Sequence, residues 1–412
     1  MCGKKIILAI AILGVATVTL LSGCGKMTSI EENSVVSESS STAEDASASY
    51  VSYWDGTVAS SYQEGIGTSD SPYIISSAEE LAYFAKQVNE GQTYPGQYFS
   101  LNADIVLNEI TDSGEVATEP YQWTPIGTNA HPFDGFFDGN YHTITGMYIE
   151  IDTDMTEELC FGLFGYIRDA TVSNICVAQS TIDFNNAMGE ISAGMVVGKT
   201  VASPGNITSV SYCQAVDGKV SGEVGDIGSC IGGVVGYADG YVGKGRDNSG
   251  DTYISDCCVN QVILDVASVG YAGGIVGRAQ AVEICACVFN GSITVEYWLK
   301  GGGIAGDCRD AVIGNCYSLC TDWIGLNDST NRHRGAIVSD CCDSSIYNCF
   351  YAQGDIHEAV GSCSDVIRQS TVTGNSAVPL STISNPEWIH ETLPDIVDNG
   401  QGQPCLQYFL AR

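Results

Sequence analysis

Basic residues are scarce in this chain. Lysine and arginine together number 16, against 49 aspartates and glutamates, for a formal charge of −33. A surface of that sign repels phosphodiesters and anionic headgroups at close range, which excludes nucleic acid as a partner. It also disfavours polyanionic substrates such as polyuronates, whose carboxylates need lysine or arginine to hold them. Histidine is scarcer still: His131, His142, His333, His357 and His390 complete the set. His357-Glu358 is followed by Gly361, and His390-Glu391 by Pro394, where a zinc-binding helix needs a second histidine. The sequence has no Gly-x-Ser-x-Gly elbow, phosphate loop or dinucleotide fingerprint. No enzyme class is indicated and no cofactor is expected. After residue 21, no apolar run is long enough to span a bilayer.

The first residues read "MCGKKIILAIAILGVATVTLLSGCG". Two lysines precede an apolar run from Ile6 to Leu21, short for a membrane span and suited to a signal peptide. The run stops at Leu21-Ser22-Gly23-Cys24, which resembles the bacterial lipobox. Residues 1–23 are expected to be removed and Cys24 to carry lipid, so that the protein is tethered to the outer face of a bacterial membrane and not threaded through it. Residues 24–53 are rich in serine and acid and lack apolar periodicity, which fits a disordered spacer.

Glycine and cysteine, by contrast, are abundant and periodic. From Phe161 onward, the blocks "FGLFG", "GMVVG", "GGVVG", "GGIVG", "GGIAG" and "GAIVS" end at Gly165, Gly198, Gly236, Gly277, Gly306 and Ser339. Each is followed by a second block, ending at Ile175, Cys213, Cys257, Cys287, Cys316 and Cys349. The offset is ten residues in four repeats and longer in the two with polar inserts, which belong in surface loops. Each repeat offers short β-branched runs without helical spacing. Such runs cannot bury an apolar face alone, but stacked in register they make continuous parallel sheets. The fold class is therefore all-β: a right-handed parallel β-helix solenoid with a short N-terminal helical cap. A β-propeller is the weaker alternative, because its blades need four strands each. Glycine is expected at the corners, for positive φ or for close backbone approach.

One side-chain type at one coil position makes a ladder. Cys213, Cys257, Cys287, Cys316 and Cys349 are read as a buried ladder of thiols packing as small apolar groups, a reading supported by Ile175 in the same slot. Disulfides along it are disfavoured: rungs one coil apart have Cα atoms in range, but their Cβ bonds point the same way. Cys308 and Cys341, matched off the main ladder, are the better disulfide candidates, and the spacing does not suit zinc.

The stretches "WTPIG" (Trp123 to Gly127), "FDGFFDGNYHTITGMYI" (Phe133 to Ile149) and "FGLFG" resemble the GLUG-repeat surface proteins of bacteria. So do "NCY" at Asn315 and "NCF" at Asn348, the opening segment Gly67 to Gly91, and the ending "NGQGQPCLQYF", where Gln403 replaces a customary tyrosine. The resemblance covers about residues 54–410 and implies a β-helix on the cell surface, with adhesion or binding as its role. It divides the chain into a cap (54–110), repeats (111–353) and a closing segment (354–412). In "SAEELAYFAKQVNEG", Leu81, Phe84, Ala85 and Val88 share one helical face. Ser77 with Glu80 forms a capping box, and Gly91 is placed to end the helix. Trp298 and Trp323 are read as core or corner packing.

Aspartates are the remaining chemical signal. Asp307 aligns with Asp340 and Asp310 with Asp343 on adjacent coils, forming two short acidic columns that are candidates for Ca²⁺ or for a catalytic pair. The plainer reading is turn residues bonded to backbone. Asp134 and Asp138 flank the "FDGFFDG" turns as another pair, and Ile151 to Glu158 is an acidic loop lacking the glycine of an EF-hand. The expected function is a monomeric, non-catalytic adhesion, ligand-binding or structural module meeting a glycan or a cell-surface protein. The rival is a carbohydrate-active enzyme of β-helix type.

Overall fold

The computed structural model describes residues 53–152, 158–187, 189–240, 251–295, 300–320 and 334–354, with shorter stretches at 323–324, 356, 358–363, 371–379, 393, 395–398 and 404–409. Cys24 and the spacer, His333, His357, His390, Trp298, residues 153–157 of the acidic loop and 241–250 of the longest insert lie outside them.

The fold is a parallel β-helix. Strands pair in parallel with their equivalents one coil away, and a single inward column shows the logic. Phe99, Phe137, Val172, Val210, Ile254, Ile284, Ile313 and Ile346 are Cα partners in succession. Every one of them is buried. The alternating apolar residues of each short run supply one member per coil, so stacking converts scattered Val and Ile into one continuous interior. The solenoid is longer than the repeat pattern indicates. Tyr98–Leu101 forms a rung inside the expected cap. Thr371–Thr373 and Ser376–Val378 form another beyond the last glycine block. Terminal rungs carry the inward residues without the glycine block: the alternation from Tyr98 marks a strand, but nothing in it marks a coil of the repeat.

Among the described residues the strands fall into a large sheet and a second, seven-stranded sheet running from Phe164–Arg168 to Val360–Cys363. The glycine blocks join the two, and their role is close approach, not positive φ. A Cβ on Gly232, Gly273 or Gly302 would lie 1.9 Å from the carbonyl oxygen three residues on. That clash forbids any side chain. Positive φ falls on glycine at other corners, as at Gly146 (75°) and Gly374 (70°), and also on residues other than glycine. Asn174, Tyr212, Asp256, Ala286, Asn315 and Asn348 each have φ between 51° and 55°, and each immediately precedes a ladder position. Asn and Asp tolerate this conformation best. The recurring "NC" is thus a left-handed corner followed by an inward thiol.

Helix α1 (Ala78–Asn89) closes the first coils. Leu81, Phe84, Ala85 and Val88 are all buried, and the Phe84 ring stacks on Phe99 at 4.2 Å with Phe137 at 6.0 Å. The capping box is slightly displaced: Ser77 accepts from Glu80 N as expected, but the Glu80 carboxylate accepts from Ser76 N at 2.8 Å. Gly91, at φ 108°, sits just past the helix. Gly91 N donates to Val88 O and Gln92 N to Gln87 O, the paired bonds of a Schellman ending. Near the other terminus, an antiparallel hairpin of Ile396–Asp398 and Pro404–Leu406 lies on the outside of the large sheet. Leu393, Ile396 and Leu406 pack there with Cys258, Val288 and Tyr317 in a small second core.

Candidate functional site

The structure divides the four candidate aspartates into two kinds. Asp310 and Asp343 are left-handed corners with φ 50° and 53°, as the turn reading expects. Asp307 and Asp340 are strand neighbours, nearly buried and already committed to cations. Asp307 Oδ2 accepts from Arg278 Nε and Arg309 Nε, both at 3.2 Å, and Asp340 Oδ2 accepts from Lys300 Nζ at 2.7 Å. Burial outweighs those cations at Asp307 and holds its carboxyl above the ordinary range. Carboxylates occupied by guanidinium and ammonium groups do not converge as calcium ligands. Among the described residues, no group of three His, Cys, Asp or Glu is placed to hold a metal.

These ion pairs belong to a longer zipper. Tyr166, Lys199, Tyr237, Arg278, Asp307 and Asp340 are successive partners along the seven-stranded sheet. Cys160, Ser192, Cys230, Tyr271 and Lys300 run beside them on the large sheet. Lys199 Nζ sits 5.5 and 5.1 Å from the Tyr166 and Tyr237 ring centres and pairs with Glu158. Arg278 lies 5.6 and 5.1 Å from the Tyr237 and Tyr271 rings. Each such contact contributes about 0.5–2 kcal/mol. Lys199, Arg278, Lys300 and Arg309 are therefore used in holding the two sheets together along their glycine-lined junction.

The ladder thiols Cys213, Cys257, Cys287, Cys316 and Cys349 are all fully buried, facing the interior beside Ile175. Each Sγ donates to a carbonyl two residues back, for example Cys287 to Cys285 O at 3.3 Å. Burial pushes the Cys213 and Cys287 thiols well above the ordinary range. Cys257 and Cys316 accept from the thiols on both sides, which favours charge on those two. The dry surroundings dominate, and the ladder stays neutral. Cys308 and Cys341 are in-register neighbours on the second sheet. Asp134 and Asp138 are not brought together. Asp138 Oδ1 accepts from Asn140 N and Asn174 Nδ2. The Asp134 carboxyl is pushed up to about 6 by burial and by neighbouring Asp169. His142 Nδ1 is 2.9 Å from Asp104 Oδ1, a structural partner within the first coils.

The feature best suited to a ligand was not read from the sequence. A hairpin at residues 110–116 closes by an Ile110–Val116 bridge, with Thr111 N donating to Glu115 O and Gly114 at φ 83°. Buried Asn108 anchors its base, donating to Gly146 O and Tyr121 O while accepting from Tyr121 N. Between this hairpin and the flank of the solenoid lies a cleft of about 640 Å³. Its floor is built from in-register columns. Tyr148, Thr181, Lys219 and Ile263 form one, and Asp183 and Ser221, in register between Glu150 and Asp265, contribute the next. Gln179, Asp217 and Gln261 stand at left-handed corners along its edge. Ser221 Oγ donates to Asp183 Oδ1 at 3.2 Å, and Tyr148 Oη to Glu150 Oε2 at 3.2 Å. The signal for the hairpin was present as "ITDSGEV", a turn sequence between two apolar residues.

No family model matches the chain. Over 130 residues it is 32% identical to a protein of Evansella cellulosilytica described as a Gly-rich membrane protein, and over 188 residues 27% identical to halomucin of Haloquadratum walsbyi. These stretches are 31% and 43% of this chain. They cover only 13% and 2% of those much longer relatives. In structure, the chain is similar to a Bacteroides ovatus protein assigned as an immunoglobulin A1 protease. The TM-score is 0.55 at 22% identity, over 84% of this chain and 95% of that one. That likeness is one of fold, and the fold it supports is the β-helix.

Proposed function

We propose that this protein is an exported, lipid-anchored surface module of the GLUG-repeat type that binds a polar, uncharged or cationic ligand without transforming it. A neutral glycan is the ligand class that the chemistry favours. One observation carries the reading: the open cleft under the 110–116 hairpin. Amides from Gln179 and Gln261, carboxylates from Asp183 and Asp217 and the Tyr148 ring line it together. Amides and carboxylates bind sugar hydroxyls in pairs, and an aromatic face packs on a pyranose ring. Asp112, Glu115, Asp183 and Asp217 against Lys219 alone make the lining acidic, which turns away uronates and phosphates. The name of the Evansella cellulosilytica relative agrees with a membrane-associated setting. Anchoring at Cys24 is part of the proposal.

The test is a glycan array probed with the detergent-solubilised full chain, with and without Ca²⁺. Neutral glycans are expected to bind, and Tyr148→Ala with Asp183→Ala is expected to weaken binding at least tenfold. Binding left intact by both substitutions would remove the cleft from the account. The enzyme reading keeps one support, the carboxyl of Asp134 pushed up to about 6 by burial and then by neighbouring Asp169, since a raised acid suits general acid chemistry. Release of reducing sugar abolished by Asp134→Asn would favour that reading over binding alone.

A further inference from the structure

The C-terminal hairpin brings a cysteine onto the outside of the solenoid, where two others wait. Cys176, Gln214 and Cys258 are successive partners in one outward column of the large sheet. Pro404–Leu406 crosses that column. Cys258 Sγ donates to Pro404 O at 3.3 Å, and Leu406 N donates to Gln214 Oε1 at 3.4 Å. The residue between those two contacts is Cys405, itself only 3% exposed. Burial and then the Cys405 thiol raise Cys258.

We propose that Cys258 and Cys405 form a disulfide that pins the C-terminal hairpin to the solenoid. The geometry differs from that of the interior ladder. Ladder rungs are parallel and in register, so their Cβ bonds point the same way and a bridge between them is strained. Cys405 comes from a separate element laid across the sheet, between the residues that contact Cys258 and Gln214, so the in-register constraint on ladder rungs does not apply to it. Cys176 is the less suited partner, because Gln214 lies between it and Cys258 and takes the bond from Leu406. The sequence separation closes a very long loop, the case in which a cross-link restricts the unfolded chain most.

The chemistry balances with a small disulfide or an exported thiol–disulfide exchange catalyst as oxidant. One cysteine thiolate attacks the oxidant's S–S bond and forms a mixed disulfide, releasing one oxidant thiol. The second cysteine thiolate then displaces the other oxidant sulfur. The two protons lost by the cysteines pass through solvent to the two departing oxidant sulfurs, and two electrons reduce the oxidant to thiols. The exchange takes place before the hairpin docks, because the docked thiols are shielded from solvent.

The test is peptide mapping of the full chain after folding in an oxidised/reduced glutathione buffer and blocking of thiols with iodoacetamide in denaturant. The expected result is a Cys258–Cys405 linked peptide that disappears on reduction, while the five ladder cysteines are recovered alkylated. In Cys405→Ser, Cys258 should appear alkylated. Limited proteolysis supplies an independent readout. The hairpin in the wild type should be cleaved at least tenfold faster after reduction, and in Cys405→Ser at the faster rate with or without reductant. Recovery of Cys405 as the alkylated thiol, or linked to Cys176 or to any other cysteine, overturns the proposal.

Discussion

Replacing one thiol in the middle of the ladder tests the whole reading of the interior. Cys287 is fully buried, with Cys257 and Cys316 as its neighbours along the ladder. If the slot is simply apolar, Cys287→Ala removes one sulfur's worth of burial and leaves a small void, costing about 1–2 kcal/mol. Cys287→Val restores the volume with a shape like the Ile175 that fills the slot three coils earlier, and should cost less than about 1.5 kcal/mol, below the alanine variant. A cross-linked or metal-bound ladder gives the opposite order. Valine would then lose the bond as completely as alanine, at about 2–5 kcal/mol for a bridge. The assay is urea unfolding of both variants beside the wild type, followed by fluorescence with an unchanged slope. The cysteine count by thiol titration in denaturant should fall by one in each variant. A valine variant as unstable as the alanine variant, or a titration falling by two or rising, refutes the apolar ladder.

Three further outcomes follow from the same geometry. Gly273→Ala puts a Cβ 1.9 Å from Val276 O, so the chain should lose about 3 kcal/mol or more, measured as a fall in the urea midpoint. Ala286 holds a left-handed corner at φ 55° where Asn315 and Asn348 hold the next two, so Ala286→Asn should gain about 0.5–1 kcal/mol and Asn315→Ala lose a similar amount. The Asp134 carboxyl, raised to about 6, binds its proton more tightly folded than unfolded. Its contribution is favourable below the unfolded value near 4 and is lost as pH rises through about 6. Asp134→Asn should therefore leave stability unchanged at pH 4, raise it at pH 7, and flatten the profile between, as read by thermal unfolding across that range.

Much of the architecture was legible because a solenoid writes the same physics many times. Ile254, Ile284, Ile313 and Ile346 recur at one coil position, and stacking is the only way that such short runs can bury them. The helix was legible because Ser77, Phe84 and Gly91 are each local signals. What the sequence concealed was non-repeating. Tyr98–Leu101 looks like part of a cap because its coil lacks the glycine block. Glycine is expected at corners for positive φ or for close approach; the repeating blocks use it for clearance, while the left-handed corners before the ladder fall on Asn, Asp, Ala and Tyr. Asp307 and Asp340 aligned correctly, but their cations Arg278 and Lys300 come from neighbouring coils, a relation that only the register reveals. The cleft depends on a single hairpin meeting four rungs, and nothing periodic announces it.

Apart from the C-terminal hairpin laid back across Gln214 and Cys258, each coil stacks on the coils before and after it, so cohesion along the solenoid is a nearest-neighbour property. Opening should start at a terminus and proceed rung by rung, and the aromatic plug of Phe84, Phe99 and Phe137 makes the helix-bearing end the harder one to start from. Amide exchange should then grade along the axis, slowest where Phe137 and Val172 lie and fastest toward Val372. A chain built this way can gain or lose an entire internal coil by duplication or deletion and still present unchanged ends. That freedom gives such proteins an easy route to different lengths from one set of parts.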